Sequence, residues 1–183
     1  MTDTLPQTYE GFAGSSLLRP SELATLIELL PPQGMMLEIG SADGVTAAKI
    51  AETHPGSRVV SVDSFADFNP DRLNEWDQRF LNWRRNQRSN QHLWVSQLDI
   101  FHYFCKHKFD LVFVDGDHRY ANVMSDLLLG VTMMKPDGCL VAHDYGEAAH
   151  YQVQMATDRF LADHPELKLE AVVSSLAIMK RVA

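Results

Sequence analysis

Five short apolar runs, each followed closely by an acidic side chain, punctuate this chain: Met35 to Ile39, Val59 to Val62, Leu93 to Val95, Leu111 to Val114 and Cys139 to Ala142. Runs this short and this apolar read as strands buried on both faces, the usual condition of strands in a parallel sheet. Parallel neighbours need a crossover between them, and the intervals Val45 to Thr53, Pro70 to Arg88, Phe101 to His107 and Tyr120 to Met134 supply the helices. Ahead of the first run, Ser21 is an N-cap candidate, and Leu23, Leu26, Ile27 and Leu30 recur at helical spacing until Pro31 and Pro32 stop the turn. Behind the last run, a helix near Tyr151 to Ala162 leads to two strand-like segments, Leu167 to Val173 and Leu176 to Val182. These flank Ser174 and Ser175 as the arms of a hairpin.

This order specifies one α/β domain, and a chain of 183 residues that is 45% hydrophobic has the material for one sizeable core. The polar first 20 residues, with Gly11, Gly14 and Pro20, read as a flexible arm, which leaves residues 21–183 as the folded domain. With 16 basic against 24 acidic side chains the formal charge is −8, which repels phosphate backbones and argues against general nucleic-acid binding. No apolar stretch approaches the roughly 20 residues that cross a bilayer. Cys105 and Cys139 lack the spacing of a disulfide framework or a zinc site, and they read as thiols in a reducing cytoplasm.

In an open parallel sheet, ligands sit outside the carboxyl ends of the strands, so the residues just after each run matter most. Here they are Glu38-Ile39-Gly40-Ser41-Ala42-Asp43-Gly44, then Asp63-Ser64, Asp99, Asp115-Gly116-Asp117-His118 and His143-Asp144. Gly40 and Gly44 allow a tight turn and a close backbone approach to a ligand, but the third glycine of GxGxxG is absent. Glu38 would set a carboxylate beside the pyrophosphate of a dinucleotide, whereas a cofactor carrying an amino group and a sulfonium would be attracted there. Asp63 stands where an acid commonly binds ribose hydroxyls at the end of a second strand. Each feature alone also fits a strand-to-helix turn or a helix cap.

Read in order, LEIGSADG, VVSVDSF, FDLVFVDGDHRY and LVAHDY resemble the class I S-adenosylmethionine-dependent methyltransferases, from about Met35 to Val182. The branch most like them holds macrocin-type sugar O-methyltransferases and cephalosporin-hydroxylase-like proteins. The resemblance implies a doubly wound, mostly parallel seven-stranded sheet of the Rossmann-like methyltransferase type with a C-terminal antiparallel hairpin. It implies that Glu38, Gly40 and Gly44 surround the methionine part of S-adenosylmethionine, that Asp63 meets the ribose and that Asp99 lies near the adenine. Ser41, Ser64 and Asp115 complete the cofactor set.

Methyl transfer from a sulfonium is an in-line displacement that needs the acceptor aligned and its proton removed. His118, three residues after Asp115, keeps the DxxH spacing at which the resembling sugar enzymes carry a base; its alternative is a helix-capping or Asp117-bonded histidine. By the same resemblance Asp115, His143 and Asp144 occupy the positions of divalent-metal ligands. An imidazole at His143 departs from the family carboxylate, disfavouring Mg²⁺ and suiting Mn, Fe or Zn, or else making His143 a second base. Leu73, Trp76, Phe80 and Trp83 recur at helical spacing as a packing stripe, and Arg72, Arg79, Arg84, Arg85 and Arg88 read as a solvated face.

The expected function is methyl transfer to a small-molecule acceptor, at a hydroxyl oxygen. Two other classes compete: a non-catalytic S-adenosylmethionine-binding domain and, disfavoured by Glu38, a nucleotide-cofactor oxidoreductase. A chain this short leaves little room for a lid, so a homodimer partner or the N-terminal arm is expected to cover the site.

Overall fold

The five apolar runs lie side by side as parallel strands of a seven-stranded sheet. The computed structural model describes residues 6–65, 73–94, 96, 97, 100, 104 and 106–182, with residues 73–76 described by backbone alone. Along the chain come α1 (Pro20–Leu29), β1 (Met35–Ile39), α2 (Val45–Thr53), β2 (Arg58–Val62), α3 (Leu73–Asn86), β3 (Gln91–Trp94) and β4 (Phe109–Val114). Then follow α4 (Tyr120–Met133), β5 (Met134–Ala142), α5 (Tyr151–Asp163), β6 (Leu167–Val173) and β7 (Leu176–Arg181). The strand order is β3-β2-β1-β4-β5-β7-β6, with β7 antiparallel to both β5 and β6. It is the Rossmann-like methyltransferase fold.

Strand alternation divides the core into two layers. Leu37, Ile39, Val112, Val114 and Leu140 face one side and pack with Val123 and Leu127 of α4 and with Val153 and Phe160 of α5. Met36, Leu111, Phe113 and Val141 face the other and pack with Leu23, Leu26 and Leu30 around α1 and with Ala47 and Ile50 of α2. Each such aliphatic or aromatic side chain contributes about 1.5–3 kcal/mol when fully buried, so the sheet is stabilised from both faces.

The start of α1 differs from expectation. Pro20, not Ser21, begins the helix, because the Glu22 carboxylate reaches back to accept the Arg19 backbone N–H at 2.7 Å and Pro suits a first helical position. The segment before it is docked from Pro6 onward. Gln7 and Ser16 exchange backbone hydrogen bonds, Ala13 bonds both ways with the Asn86 amide, and the Ser15 N–H donates to Asp43. Arg88, at 4.6 Å, and Lys49, at 5.2 Å, also lie over the Phe12 ring. Strand β5 begins five residues earlier than the apolar run suggests, directly after α4, with a shift of register against β4. Asp99, Cys105 and most of the expected helix Phe101 to His107 lie outside the described residues. Among the described residues no helix is long and apolar enough to cross a membrane.

Candidate functional site

The strand order reverses between β2-β1 and β4, and a cavity of about 900 Å³ opens at the carboxyl ends of these strands. Two glycines shape its approach. Gly40 has φ +86°, and a Cβ there would stand 2.2 Å from the Asp115 carbonyl oxygen, so only glycine lets the turns after β1 and β4 meet. Gly44 has φ +72° before α2, with the Trp83 ring where a Cβ would go.

Gly40, Asp63, Ser64, Asp115 and His118 line the cavity, whereas Glu38, Ser41, Gly44, His143 and Asp144 stand behind its wall. The pleat explains Glu38: it shares a face with Met36, so it points under α2 while Ile39 faces the cavity. Only 1% exposed, Glu38 accepts hydrogen bonds from Ser41 Oγ (2.5 Å) and Ser61 Oγ (2.8 Å), and Trp83 Nε1–H donates to Ser41 Oγ at 2.8 Å. Burial pushes its pKa up to about 7 against the pull of the two hydroxyls, with the Asp115 and Asp63 charges adding to the rise. Glu38 therefore braces the glycine turn from inside. Asp63 braces it from outside: one carboxylate oxygen accepts the N–H groups of Ser41 and Ala42, each at 2.8 Å, and the other accepts the N–H of Phe65 at 2.8 Å.

Behind the opposite wall, His143 is buried among three carboxylates. Its Nδ1 donates to Asp115 Oδ1 at 2.9 Å and lies 3.4 Å from Asp144 Oδ2, while Nε2 faces Glu22 Oε2 at 3.5 Å. Burial opposes a charge on the ring, but the neighbouring Asp115 carboxylate and the contacts with Asp144 and Glu22 outweigh it and lift the pKa to about 12. Asp144, in left-handed backbone at φ +59°, also binds His118, with Oδ2 3.0 Å from Nε2. That hydrogen bond raises the His118 pKa against partial burial, and Asp144 is held low in turn by the two imidazoles. With Nε2–H directed at Asp144, Nδ1 of His118 is the ring nitrogen left to accept a proton.

Two acids of the site carry little sequence signal. Glu22, fully buried, accepts the Arg19 N–H and guanidinium and both the N–H and hydroxyl of Ser175; despite burial these and His143 hold its pKa at about 2. Asp126 lies in the cavity floor, bonded by the Gln97 amide, and burial raises its pKa to about 6. Both sit on apolar helix faces, Glu22 one turn before Leu26 and Asp126 between Val123 and Gly130. An acid at such a position was the available clue. In α3, Trp83 is buried against Gly44 and Ser41, Phe80 packs edge-on to Phe65 at 5.4 Å, and Arg79 reaches the cavity; the side chains of Leu73, Trp76 and Arg72 lie outside the described residues.

Residues 37–145, more than half of the chain, match the model of a methyltransferase-domain family. The chain belongs to that family. No curated protein sequence matches this methyltransferase-domain protein. Among solved structures it resembles an O-methyltransferase from Bacillus cereus in complex with SAH at 18% identity and TM-score 0.60, covering 91% of this chain and 82% of that one. It also resembles a ribosomal-protein methylase from Lactobacillus delbrueckii subsp. bulgaricus at 16% identity and TM-score 0.59, covering 88% and 78%. A third resemblance is to the apo structure of a TDP-rhamnose 3′-O-methyltransferase of calicheamicin biosynthesis, at 16% identity and TM-score 0.55, covering 86% and 75%. At these identities the likeness establishes the methyltransferase fold and leaves the acceptor to the site itself.

Proposed function

We propose that the protein transfers the methyl group of S-adenosylmethionine to a hydroxyl oxygen of a small-molecule acceptor, with His118 as the base. The observation that carries the reading is a cavity with the braced Gly40 turn and Asp63 on one wall and His118, bonded from behind by Asp144, on the other. When bound, S-adenosylmethionine supplies a methyl group already activated on a positively charged sulfur. The cavity suits it by volume and by sign, since carboxylates of Asp63, Asp115 and Asp126 line the walls and would repel the pyrophosphate of a dinucleotide. Asp63 holds the turn through two backbone N–H groups and presents its carboxylate toward the ribose, and Gly40 allows backbone to close on the methionine end.

His118 then works as an oriented imidazole. Asp144 fixes the tautomer by accepting Nε2–H and stabilises the cation that forms when Nδ1 takes the acceptor proton. His118 would thereby hold the acceptor oxygen at the cavity wall and take up its proton as that oxygen receives the methyl group. His143 keeps Asp115 and Asp144 in place from behind. A divalent ion at Asp115, His143 and Asp144 is a second reading, because their ligand atoms lie within 4.8 Å of one another. It fits less well than the hydrogen-bonded arrangement: the imidazole would have to surrender its Asp115 bond while 5% exposed. The net charge of −8 favours a small acceptor over nucleic acid.

Incubation with S-adenosylmethionine and a panel of hydroxylated acceptors, read out as S-adenosylhomocysteine formed, tests the activity. Calorimetry separates the competing classes: binding of S-adenosylmethionine without turnover of any acceptor marks a non-catalytic domain, and binding of NAD alone refutes the reading.

A further inference from the structure

Outside the Asp115–His143 contact, the mouth of the cavity carries a second convergence of ligating side chains. His118, Asp144 and His150 each present one ligand atom, and these atoms lie within 4.8 Å of one another. The His118 and His150 rings stand 4.0 Å apart between centroids, tilted by 53°, with the Asp144 carboxylate 3.0 Å from His118 Nε2. We propose that His118, Asp144 and His150 form a binding site for a first-row transition-metal ion, of the zinc or cobalt(II) kind, held by two imidazoles and one carboxylate.

The donor set selects the class of ion. Two neutral nitrogen ligands and a single carboxylate suit zinc, cobalt, iron or manganese and are a poor match for Mg²⁺ or Ca²⁺, which prefer oxygen. Three protein ligands also leave a position open for water or substrate. The chain positions the set in advance. Residues 144 and 150 bracket a turn closed by backbone hydrogen bonds from Glu147 N–H to the Asp144 carbonyl and from His150 N–H to the Glu147 carbonyl. The same turn is tied to the β6–β7 turn by the Tyr145 N–H on the Ser175 carbonyl and to α5 by the Tyr145 hydroxyl on Asp158. All three side chains are half-buried, open enough for an ion to enter, whereas His143 is sealed behind them.

The site does not depend on the methyl-transfer reading, but it bears on it. An ion on His118 Nε2 leaves the ring proton on Nδ1, the nitrogen proposed as base, so metal binding and proton abstraction use His118 in mutually exclusive ways. Loading with zinc should therefore suppress turnover.

The test is binding to the metal-stripped, full-length protein, with zinc followed by calorimetry and cobalt(II) followed by its visible absorption. The expected result is one ion per chain and a cobalt spectrum of nitrogen-ligated, low-coordinate type. Removing an outer-shell partner of a metal site typically costs about 10–100-fold in affinity, so removing a ligand with His150→Ala should cost at least that much. His150→Gln, which keeps a polar side chain ahead of α5, and a melting curve for each variant separate loss of the ligand from loss of the fold. Equal affinity in the parent protein and a folded His150 variant overturns the proposal. So does binding that survives both His150 variants and disappears in His143→Gln, which would place the ion on the inner cluster.

Discussion

Glu22 of the first helix stands directly behind His143, its Oε2 3.5 Å from the imidazole Nε2, so the ring is held between a buried carboxylate on one side and Asp115 on the other. The arrangement ties α1, which precedes the family-matched segment, to the end of β5. Glu22→Gln removes one member of a buried ionic group and should destabilise the fold by about 3–5 kcal/mol. The effect should depend on pH. The Glu22 pKa is lowered from 4.5 to about 2, so its contribution is complete above pH 4.5 and is lost as pH falls toward 2. The His143 pKa is raised from 6.5 to about 12, so its contribution is complete below pH 6.5 and is lost as pH rises toward 12. Urea unfolding across pH should show the full gap between parent and Glu22→Gln from about pH 4.5 through neutral pH, closing as pH falls toward 2. A pH-independent gap would mean that Glu22 acts by packing alone.

Sheet and site differ in how far the sequence reveals them. Strand runs such as Leu111 to Val114 announce themselves because burial on both faces forces a continuous apolar stretch, and the hairpin arms around Ser174 are legible from their lengths. The glycine turn was legible because Gly40 and Gly44 adopt backbone that other residues resist. Side-chain direction was harder to read. Glu38 stands one residue before the end of the first run, yet the pleat turns it under α2, where it braces the turn instead of facing the cavity. The docking of the N-terminal segment was hidden because it rests on scattered partners, Asn86, Asp43 and Thr46, that no periodicity links. His150 carried no spacing signal toward His118, since a turn and not a helix or strand brings them together.

Glu38 gives a pH dependence of the opposite sense to Glu22. Its pKa is raised from 4.5 to about 7, so the folded state binds the proton more tightly than the unfolded chain. Stability from this group is complete below pH 4.5 and declines as pH rises through 7, by up to about 3 kcal/mol. Glu38→Gln, which retains an oxygen to accept from Ser41 or Ser61, should unfold at higher urea than the parent at pH 8 and lose that advantage near pH 5. Equal midpoints at pH 8 would show that the carboxylate is fully compensated by its two hydroxyl donors.

Asp63 holds the Ser41 and Ala42 N–H groups and, under the proposed function, also faces the ribose; two substitutions separate these tasks. Asp63→Asn can still accept from the backbone through its carbonyl oxygen but loses the charge. It should weaken S-adenosylmethionine binding by about 1.5–3 kcal/mol per charge-assisted hydrogen bond lost, roughly 10–150-fold. Asp63→Ala frees the turn as well and should weaken binding further while lowering the melting temperature. Calorimetry giving the same affinity for Asp63→Asn and the parent would remove the ribose role and leave Asp63 as a structural brace.

Under the proposed function His118 takes the acceptor proton and Asp144 orients its ring, a division that kinetics can resolve. Replacing His118 with Ala removes the nitrogen proposed as the base but leaves Gly40, Asp63 and the turn they shape, so S-adenosylmethionine should bind as before while turnover falls by roughly 100–10,000-fold. The His118 pKa lies above 6.5 because Asp144 bonds its Nε2, so the parent's kcat/KM should decline as pH drops through that raised pKa. Asp144→Asn withdraws the charge while keeping an oxygen to accept from Nε2. The pKa should then fall back toward the ordinary histidine value, moving the acid limb of the profile to lower pH while reducing the maximal rate. A purely structural role for Asp144 would lower the rate without moving the limb. If His118→Ala retains near-parental turnover at saturating acceptor, the proton leaves by another route, and the buried His143, already engaged through Nδ1 with Asp115, is too enclosed to supply it, leaving solvent as the acceptor's base.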